Sequence, residues 1–330
     1  MLRSFIALVL SLVLAAPLAS AGKRAQVPIK EFPVPWADSH PRDPYVQVDR
    51  VWFISETANY LASFDLGTQR FSRIDLANQP APRGVIAATG AKGMVWFTAS
   101  AHAYIGRYDP VTRTITPFPM PNAAATDPTD LAFESGERNI WFTVREGNIV
   151  GRLRLANGVV DLAGLTTPHA QPDGVAMAPN AGNPWFALSG TNKLATIDAR
   201  TFALSEHTLP RAAARVHRIA FTSDGRLWYA DTAEGYLGTF TPGSDAAGAR
   251  EWAVPGGKAS VPYALAVDSE DRLWTATAGK LVCFDPKTEK FEATRIPSGG
   301  SGITDLSYDR SSGALWFATD ANTIGYANLN

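Results

Sequence analysis

The sequence predicts an all-β protein: a seven-bladed β-propeller of four-stranded antiparallel blades, closed by an N-terminal strand that completes the last blade. Two in-phase repeats and the two chain ends lead to this fold class. A tryptophan, mostly followed by an aromatic residue, recurs with steps of 44, 45, 44, 43, 46 and 42 residues at Trp52, Trp96, Trp141, Trp185, Trp228, Trp274 and Trp316. An apolar residue, mainly followed by a small one, recurs with them at Leu61, Ile105, Val150, Leu194, Leu237, Leu281 and Ile324.

Each repeat reads as four short strands, namely an apolar inner strand, the tryptophan strand, the small-residue strand and an outer strand. Turn residues separate them, and four aspartates stand three residues before a threonine at predicted hairpin corners: Asp65 and Thr68, Asp109 and Thr112, Asp198 and Thr201, Asp285 and Thr288. One such sheet cannot bury both of its faces. Stacking the sheets radially solves this, because the tryptophan of one blade can fill the gap to the next.

The seventh repeat ends after its third strand, near Leu329. Residues 29–35, with the sequence Ile-Lys-Glu-Phe-Pro-Val-Pro, resemble the outer strands of the other repeats. This segment can therefore supply the missing strand and leave little exposed sheet edge.

Composition limits the possible function classes. The chain has 330 residues, of which 45% are hydrophobic and 18% charged, so it can bury a large core and is neither disordered, collagenous nor a coiled coil. Thirty basic against 31 acidic residues provide no basic field for nucleic acid or an anionic membrane. The single cysteine, Cys283, can form no internal disulfide and is expected to be a buried hydrophobe.

Residues 1–21 have the pattern of a secretory signal peptide. Arg3 precedes an apolar run over residues 5–16, and the small residues 19–21 suit cleavage after Ala21. The run is shorter than a membrane span, and no later segment supplies one. We therefore expect a periplasmic or secreted monomer whose residues 22–330 form a single propeller domain.

The channel mouth of this propeller is the candidate functional site. Connections between repeats and hairpins after the tryptophan strands share one face around the channel, which we call the top face. A ligand-binding role at this mouth is predicted for six polar residues: Tyr45, Arg83, Asp130, Asp173, Arg218 and Asp305.

Three residues are the catalytic candidates. His217 can act as a general base or metal ligand beside carboxylates. Asp231, in the same repeat, could orient His217, and together with Asp173 it is the predicted metal-ligand pair. Tyr263 could donate a proton or stack on a ring. The alternative is that all of them are channel-lining residues bridged by water. No nucleophilic serine motif, phosphate loop or zinc or calcium motif occurs.

The repeat resembles that of the streptogramin B lyase (virginiamycin B lyase) family. The matching elements are Leu-Trp-Phe or Val-Trp-Phe, the tetrapeptide 105–108 (Ile-Gly-Arg-Tyr), and the outer strand over residues 115–121 that ends in proline. The resemblance covers the whole mature chain. It implies a lyase that opens a cyclic depsipeptide antibiotic at its ester by elimination, with Mg²⁺ at the channel mouth. It also implies two histidines that enter the last two inner strands and a glutamate two residues before the second.

This sequence departs from that catalytic set. Tyr263 and Thr304 stand where the resemblance implies histidines, and Gly302 stands where it implies the glutamate. His217 has the corresponding place in the fifth repeat. Magnesium is thus implied by the resemblance alone.

Three functions remain open. The first is a divergent lyase-like enzyme acting on a small cyclic or ester-containing molecule, with a site rearranged around His217. The second is a non-catalytic exported propeller that binds a ligand or a protein partner on its top face. The third is a metal-dependent hydrolase of the lactonase type, which would require an acidic calcium site.

Overall fold

The computed structural model describes residues 27–87, 93–179, 182–242, 249–299 and 302–330. Within them, strand β1 (Ile29–Pro33) and 27 later strands form seven four-stranded sheets, in which every pairing is antiparallel. The predicted all-β, seven-bladed propeller is confirmed. The predicted signal peptide, residues 1–21, lies outside the described residues.

Six blades each take four consecutive strands, numbered here as blades 1 to 6 in chain order. Blade 1 consists of β2 (Pro41–Gln47), β3 (Arg50–Ser55), β4 (Tyr60–Asp65) and β5 (Phe71–Asp75). Blade 2 consists of β6 (Val85–Ala87), β7 (Val95–Ala99), β8 (Tyr104–Asp109) and β9 (Thr114–Pro119). Blade 3 consists of β10 (Pro128–Phe133), β11 (Asn139–Val144), β12 (Ile149–Arg154) and β13 (Val160–Gly164).

The remaining blades continue this order. Blade 4 consists of β14 (Pro172–Met177), β15 (Pro184–Leu188), β16 (Lys193–Ile197) and β17 (Leu204–Thr208). Blade 5 consists of β18 (Val216–Phe221), β19 (Leu227–Asp231), β20 (Tyr236–Phe240) and β21 (Arg250–Ala253). Blade 6 consists of β22 (Leu265–Val267), β23 (Leu273–Thr277), β24 (Lys280–Asp285) and β25 (Lys290–Arg295). Blade 7 consists of β26 (Ile303–Asp309), β27 (Ala314–Thr319), β28 (Thr323–Asn328) and β1.

Helix is confined to two 3-10 turns in this part of the chain, Ser100–His102 and Gly257–Ser260. Among the described residues, no helix combines the length and apolar character needed to cross a bilayer.

The N-terminal strand closes the ring as predicted. In blade 7, β1 pairs with β28, with Phe32 opposite Ile324. Phe32 also packs 4.5 Å from Phe64 of blade 1, between ring centroids. On the other side, the Glu31 carboxylate accepts hydrogen bonds of 2.9 Å from both the amide and the hydroxyl of Ser298. This one strand therefore ties the two chain ends to both neighbouring blades.

The repeated tryptophans fill the gaps between blades, as expected. All seven are at most 4% exposed. Each lies in a hydrophobic cluster with residues of the next blade, for example Trp52 with Phe97, Trp141 with Phe186, and Trp316 with Phe53. Cys283 is buried in the same way, and burial raises the pKa of its thiol to about 12. The core is thus distributed over seven equivalent interfaces.

A second repeated contact lies inside the blades. In blades 2, 3, 5 and 7 the aromatic residue after the tryptophan pairs directly across the sheet with a glycine: Phe97 with Gly106, Phe142 with Gly151, Tyr229 with Gly238, and Phe317 with Gly325. A Cβ atom on any of these glycines would overlap the ring. The small residue that repeats in the sequence is therefore required in these blades because an aromatic ring occupies the space where a larger side chain would lie.

Candidate functional site

A cavity of about 310 Å³ opens at the channel mouth on the top face. Its lining comes from the starts of inner strands and from hairpins that follow tryptophan strands: Arg42, Glu56, Arg83, Thr129, Arg145, Asp173, His217, Arg218 and Tyr263. We call it the top-face cavity. Its volume is at the lower end of the range typical of small-molecule sites.

β-Bulges direct these side chains toward the channel. In blades 1, 3, 4, 5 and 7 the pairing of the inner strand with the tryptophan strand slips near its first residues. In blade 5 the slip lies between Val216 and Arg218, so His217 is the unpaired residue. A bulge turns a side chain out of the regular alternation, which is why these positions can present polar groups beside a buried sheet.

His217 is held by a carboxylate of the neighbouring blade. Its Nδ1 lies 2.6 Å from Asp173 Oδ2. The Asp173 side chain is 2% exposed and that of His217 is 19% exposed. The ring centroid of Tyr263 lies 5.0 Å from that of His217. The Asp173 carboxylate accepts a hydrogen bond from Nδ1–H, so Nε2 is the atom of the neutral imidazole that carries a free lone pair.

Arg218 links Asp173 to a third blade. Its Nη1 donates to Asp173 Oδ1 over 2.9 Å, while Nε and Nη2 donate to Asp305 Oδ2 over 3.1 and 3.0 Å. Burial alone would raise the pKa of Asp173, but the Arg218 charge and the His217 hydrogen bond hold it well below its usual value. Asp173 is therefore an ionised hydrogen-bond acceptor for the imidazole.

The sequence explains why Asp305 Oδ2 is available to accept hydrogen bonds from Arg218. Asp43 and Asp130 stand at the equivalent position in their blades, and each accepts the backbone N–H of the following blade, from Val85 and Val175. Asp305 is in blade 7, and blade 1 follows it in the ring. Blade 1 has Pro44 at the position of Val85 and Val175, and proline has no N–H. Asp305 Oδ2 consequently accepts from Arg218 instead.

Asp130 is half-buried on the inner strand of blade 3. Burial and the Asp305 charge raise its pKa to about 6, against the opposing effect of Arg218. A raised pKa means that the contribution of this group to stability is complete below its ordinary pKa of 3.8 and is lost as pH rises through about 6.

We therefore expect the free energy of unfolding of Asp130→Asn to increase relative to that of the wild type as pH rises from 4 to 8. Two pKa units correspond to roughly 3 kcal/mol, which is an upper limit for the gain. Urea unfolding of both proteins at several pH values measures it. A stability difference that stays constant over this range would contradict the prediction.

Asp231 is not brought to His217. Its carboxylate is fully buried, and Oδ1 accepts the backbone N–H groups of Arg215, Ala233 and Glu234 over 3.0 to 3.2 Å. Asp231 thus braces the hairpin that follows its own strand, whereas the structure pairs His217 with Asp173.

Tyr45 also lies away from the cavity. It is opposite Trp52 in blade 1 and packs against two of the hydrophobic clusters between blades. The blade 1 position equivalent to His217 is Arg42, because Pro41 pairs with Ser55 as Val216 pairs with Asp231. The sequence analysis placed the start of this inner strand three residues too late. The apolar pair 45–46 resembles the start of an inner strand, whereas the actual start contains two prolines.

Sequence reasoning missed Arg42, Glu56 and Arg145, all of which line the cavity. A signal for the last two was present, because each stands four residues after the tryptophan of its blade. The predicted Arg83, Asp173, Arg218 and Tyr263 are at the cavity with His217, whereas Asp305 lies behind it, bonded to Arg218.

The donor set does not fit the magnesium implied by the resemblance. Glu56 accepts from Arg83 at 3.0 Å, and both oxygens of Asp173 are engaged by His217 and Arg218. Across the described ranges, no three His, Cys, Asp or Glu side chains are grouped so that they could hold a metal ion. Mg²⁺ prefers free carboxylate and water oxygens, and a wall of guanidinium groups repels it.

A glycine fixes the approach of two blades behind His217. A Cβ atom on Gly174 would lie 2.5 Å from the carbonyl oxygen of His217 and 3.2 Å from Arg218 Cα. We expect Gly174→Ala to push β18 outward and to lower the free energy of unfolding by about 1–3 kcal/mol. Urea unfolding measures this. Gly164→Ala is the control, because nothing lies within 4 Å of that Cβ position, and equal losses in the two variants would contradict the prediction.

Comparisons with known proteins agree with this architecture. The profile of the Virginiamycin B lyase family matches residues 20–284. A streptogramin B lyase structure superposes with a TM-score of 0.82 at 22% identity, covering 92% of this chain and 98% of that chain. Virginiamycin B lyase from Staphylococcus aureus gives 0.82 at 21% identity, covering 92% and 100%. A catalytically inactive histidine-to-alanine variant of it, with quinupristin, matches equally well. No curated protein matches by sequence.

Proposed function

Because the chain belongs to the virginiamycin B lyase family, we propose that it is an exported, lyase-like enzyme whose reaction centres on His217 in the top-face cavity. The observation that carries this proposal is the 2.6 Å contact between His217 Nδ1 and the buried Asp173 carboxylate at the wall of a cavity. A histidine oriented by a carboxylate in this way is a recurrent general base.

The reaction class follows from the family and from the base. His217 Nε2 takes the proton from the carbon next to a carbonyl group. The electron pair of that C–H bond forms a C=C bond, while the C–O bond to the acyloxy group breaks and a carboxylate leaves. The products are an unsaturated carbonyl compound and a carboxylate, and His217 then releases the proton to solvent. No water molecule is consumed, which distinguishes this step from hydrolysis.

Guanidinium groups take the place of a metal ion in this proposal. Negative charge develops on the carbonyl oxygen when the proton leaves, and a fixed cation in a small cavity stabilises it. Arg42 and Arg145 line the cavity with His217. Tyr263, 5.0 Å from His217 between ring centroids, is suited to stack on the substrate or donate to it. Asp231 has no step in this scheme.

The test uses N-acetyl-O-acetyl-threonine amide, a minimal compound with an ester oxygen on the carbon next to the C–H bond that breaks. We expect elimination, followed by the ultraviolet absorbance of the conjugated product, and a loss of about 100-fold or more in His217→Ala. Asp173→Asn should keep substrate binding and lose a similar factor in kcat, because the imidazole is held in the wrong tautomer.

His169→Asn is the matched control. This histidine is exposed on the top face with a φ of 53°, a conformation that asparagine also accepts. It should leave the rate unchanged. If this amide, the corresponding free acid and quinupristin are all left unchanged by the wild type, or if His217→Ala is as active as the wild type, the enzyme proposal is wrong. The non-catalytic binding function, favoured by Tyr263, Thr304 and Gly302 in place of the expected catalytic set, would then take its place.

Export is a separate part of the proposal. It rests on Arg3, the apolar run and the small residues before Gly22. Expression of the full sequence in a bacterium, followed by mass spectrometry of the periplasmic fraction, should find a chain that begins at Gly22. Recovery of the protein only in the cytoplasm with residues 1–21 intact would contradict it.

A further inference from the structure

We propose that the top-face cavity selects a ligand carrying a free carboxylate, which Arg42 and Arg145 bind. This names the substrate class of the proposed enzyme and in that respect rests on the proposed function, but the binding step can be tested without any turnover.

The four arginines of the cavity are not equivalent. Arg83 donates to Glu56 and to Asp127, each over 3.0 Å, and Arg218 donates to Asp173 and Asp305. These two guanidinium groups use their N–H donors within the protein. They stabilise the walls of the cavity and are not available to a ligand.

Arg42 and Arg145 are held only loosely. Their nearest carboxylate oxygens are 3.9 Å away on Glu56 and 3.6 Å away on Asp173, both beyond hydrogen-bond distance. Among the described residues, neither side chain makes a hydrogen bond, and they are 34% and 29% exposed. Each guanidinium therefore presents unused N–H donors to the cavity, in the planar arrangement that matches a carboxylate.

The charge at the cavity surface also favours an anion. Four arginines line the cavity with two carboxylates, Glu56 and Asp173. The carboxylates that balance Arg83 and Arg218, namely Asp127 and Asp305, are outside the lining. Glu56 and Asp173 repel a dianion more strongly than a monoanion, so the lining fits one carboxylate better than a phosphate group.

The carboxylate end would lie close to the reacting end. Arg145 lies 3.6 Å from Asp173 Oδ2, the oxygen that also binds His217 Nδ1. A cavity of about 310 Å³ has room for a small molecule. We therefore infer a small acyclic or single-ring acid with its ester oxygen and carboxylate only a few atoms apart.

The test compares two ligands that differ only in this group: N-acetyl-O-acetyl-threonine as the free acid and as its amide. Isothermal titration calorimetry is performed on His217→Gln, a variant that binds without turnover. We expect the acid to bind at least tenfold more tightly than the amide, and its affinity to fall as salt is added. Arg42→Gln and Arg145→Gln, each combined with His217→Gln, should lose about tenfold or more for the acid and little for the amide.

Arg70→Gln, a change at an exposed arginine of blade 1, is the control and should bind both ligands normally. Circular dichroism checks that each variant is folded, and Arg42→Lys replaces Arg42→Gln if the latter is not. Lysine keeps the charge but loses the fork of donors, so it should give an intermediate affinity.

Three results would overturn the carboxylate assignment: equal affinity for acid and amide, unchanged binding of the acid by both arginine variants, or tighter binding of inorganic phosphate than of the acid. The two proposals fail separately. Tight binding of the acid without turnover by the wild type refutes the enzyme alone, whereas turnover of the amide with no preference for the acid refutes the carboxylate site alone.

Discussion

A chain that lacks residues 29–33 should lose most of its folding stability, although these five residues lie at the periphery of the ring. The deletion removes β1 and with it the whole pairing with β28. It also removes the contacts of Phe32 with blade 1 and those of Glu31 with Ser298. We expect a loss comparable to the roughly 5–15 kcal/mol that stabilises a typical folded domain.

The physical reason is that β1 has three structural roles. It covers the open edge of β28, it fills the space beside Trp316, and it keeps the first and last blades together. Its removal exposes the edge of β28 and the Phe64 and Trp316 rings that Phe32 covers, so the loss of one strand weakens the interfaces on either side.

Circular dichroism during urea unfolding measures the effect. Phe32→Ala is a milder version that keeps the backbone pairing, and it should cost about 3 kcal/mol. Lys30→Ala is the control, because this side chain is exposed and its bond to Gln69 is a surface contact, so its cost should be within about 0.5 kcal/mol. A deletion that unfolds no earlier than Lys30→Ala would show that the ring closes without β1.

The second large effect is expected for Gly151→Val. Gly151 is buried directly opposite Phe142 in blade 3, and even one added carbon would overlap the phenylalanine ring. A branched side chain must displace that ring into a packed interface. Overpacking of this kind costs 1–3 kcal/mol or more, and we expect at least about 3 kcal/mol here.

Blade 6 provides the matched compensating change. There the equivalent cross-strand pair is Thr275 with Val282, a small residue opposite a larger one. The double variant Phe142→Thr with Gly151→Val copies that pair into blade 3. A double-mutant cycle from urea unfolding should give a favourable coupling of about 1 kcal/mol or more. Additive losses would mean that the aromatic ring and the glycine are not a matched pair.

The fold was readable from the sequence because its signals repeat. Seven tryptophans in phase with seven small-residue positions fix the number of blades without any knowledge of a single contact, and the unpaired strand at residues 29–35 indicated how the ring closes. Each signal records a packing requirement that every blade must meet. Repetition therefore compensates for the weakness of any one strand pattern.

The site was only partly readable because it depends on what differs between blades. His217 and Asp173 were identified separately, but the sequence could not show that they are neighbours across a blade interface. Asp231 is the one carboxylate at its position in the repeat, yet it stabilises a turn. Glu56 and Arg145 lie in hairpins, where no hydrophobic period constrains the side chain, and Arg42 was hidden by a bulge beside two prolines.

The shared blade 7 also sets the order in which the molecule can be completed. Phe32 is among the first residues of the ring to be synthesised, whereas its partner Ile324 is among the last, 292 positions later. Bringing these two segments together is a late and slow closure of a very long loop. Blades 1 to 6 can pair locally as they emerge, but β1 waits until β28 has been synthesised. A prematurely terminated product would therefore expose an unpaired β1. Proteases and chaperones can bind this strand in the incomplete ring, whereas the finished ring protects it.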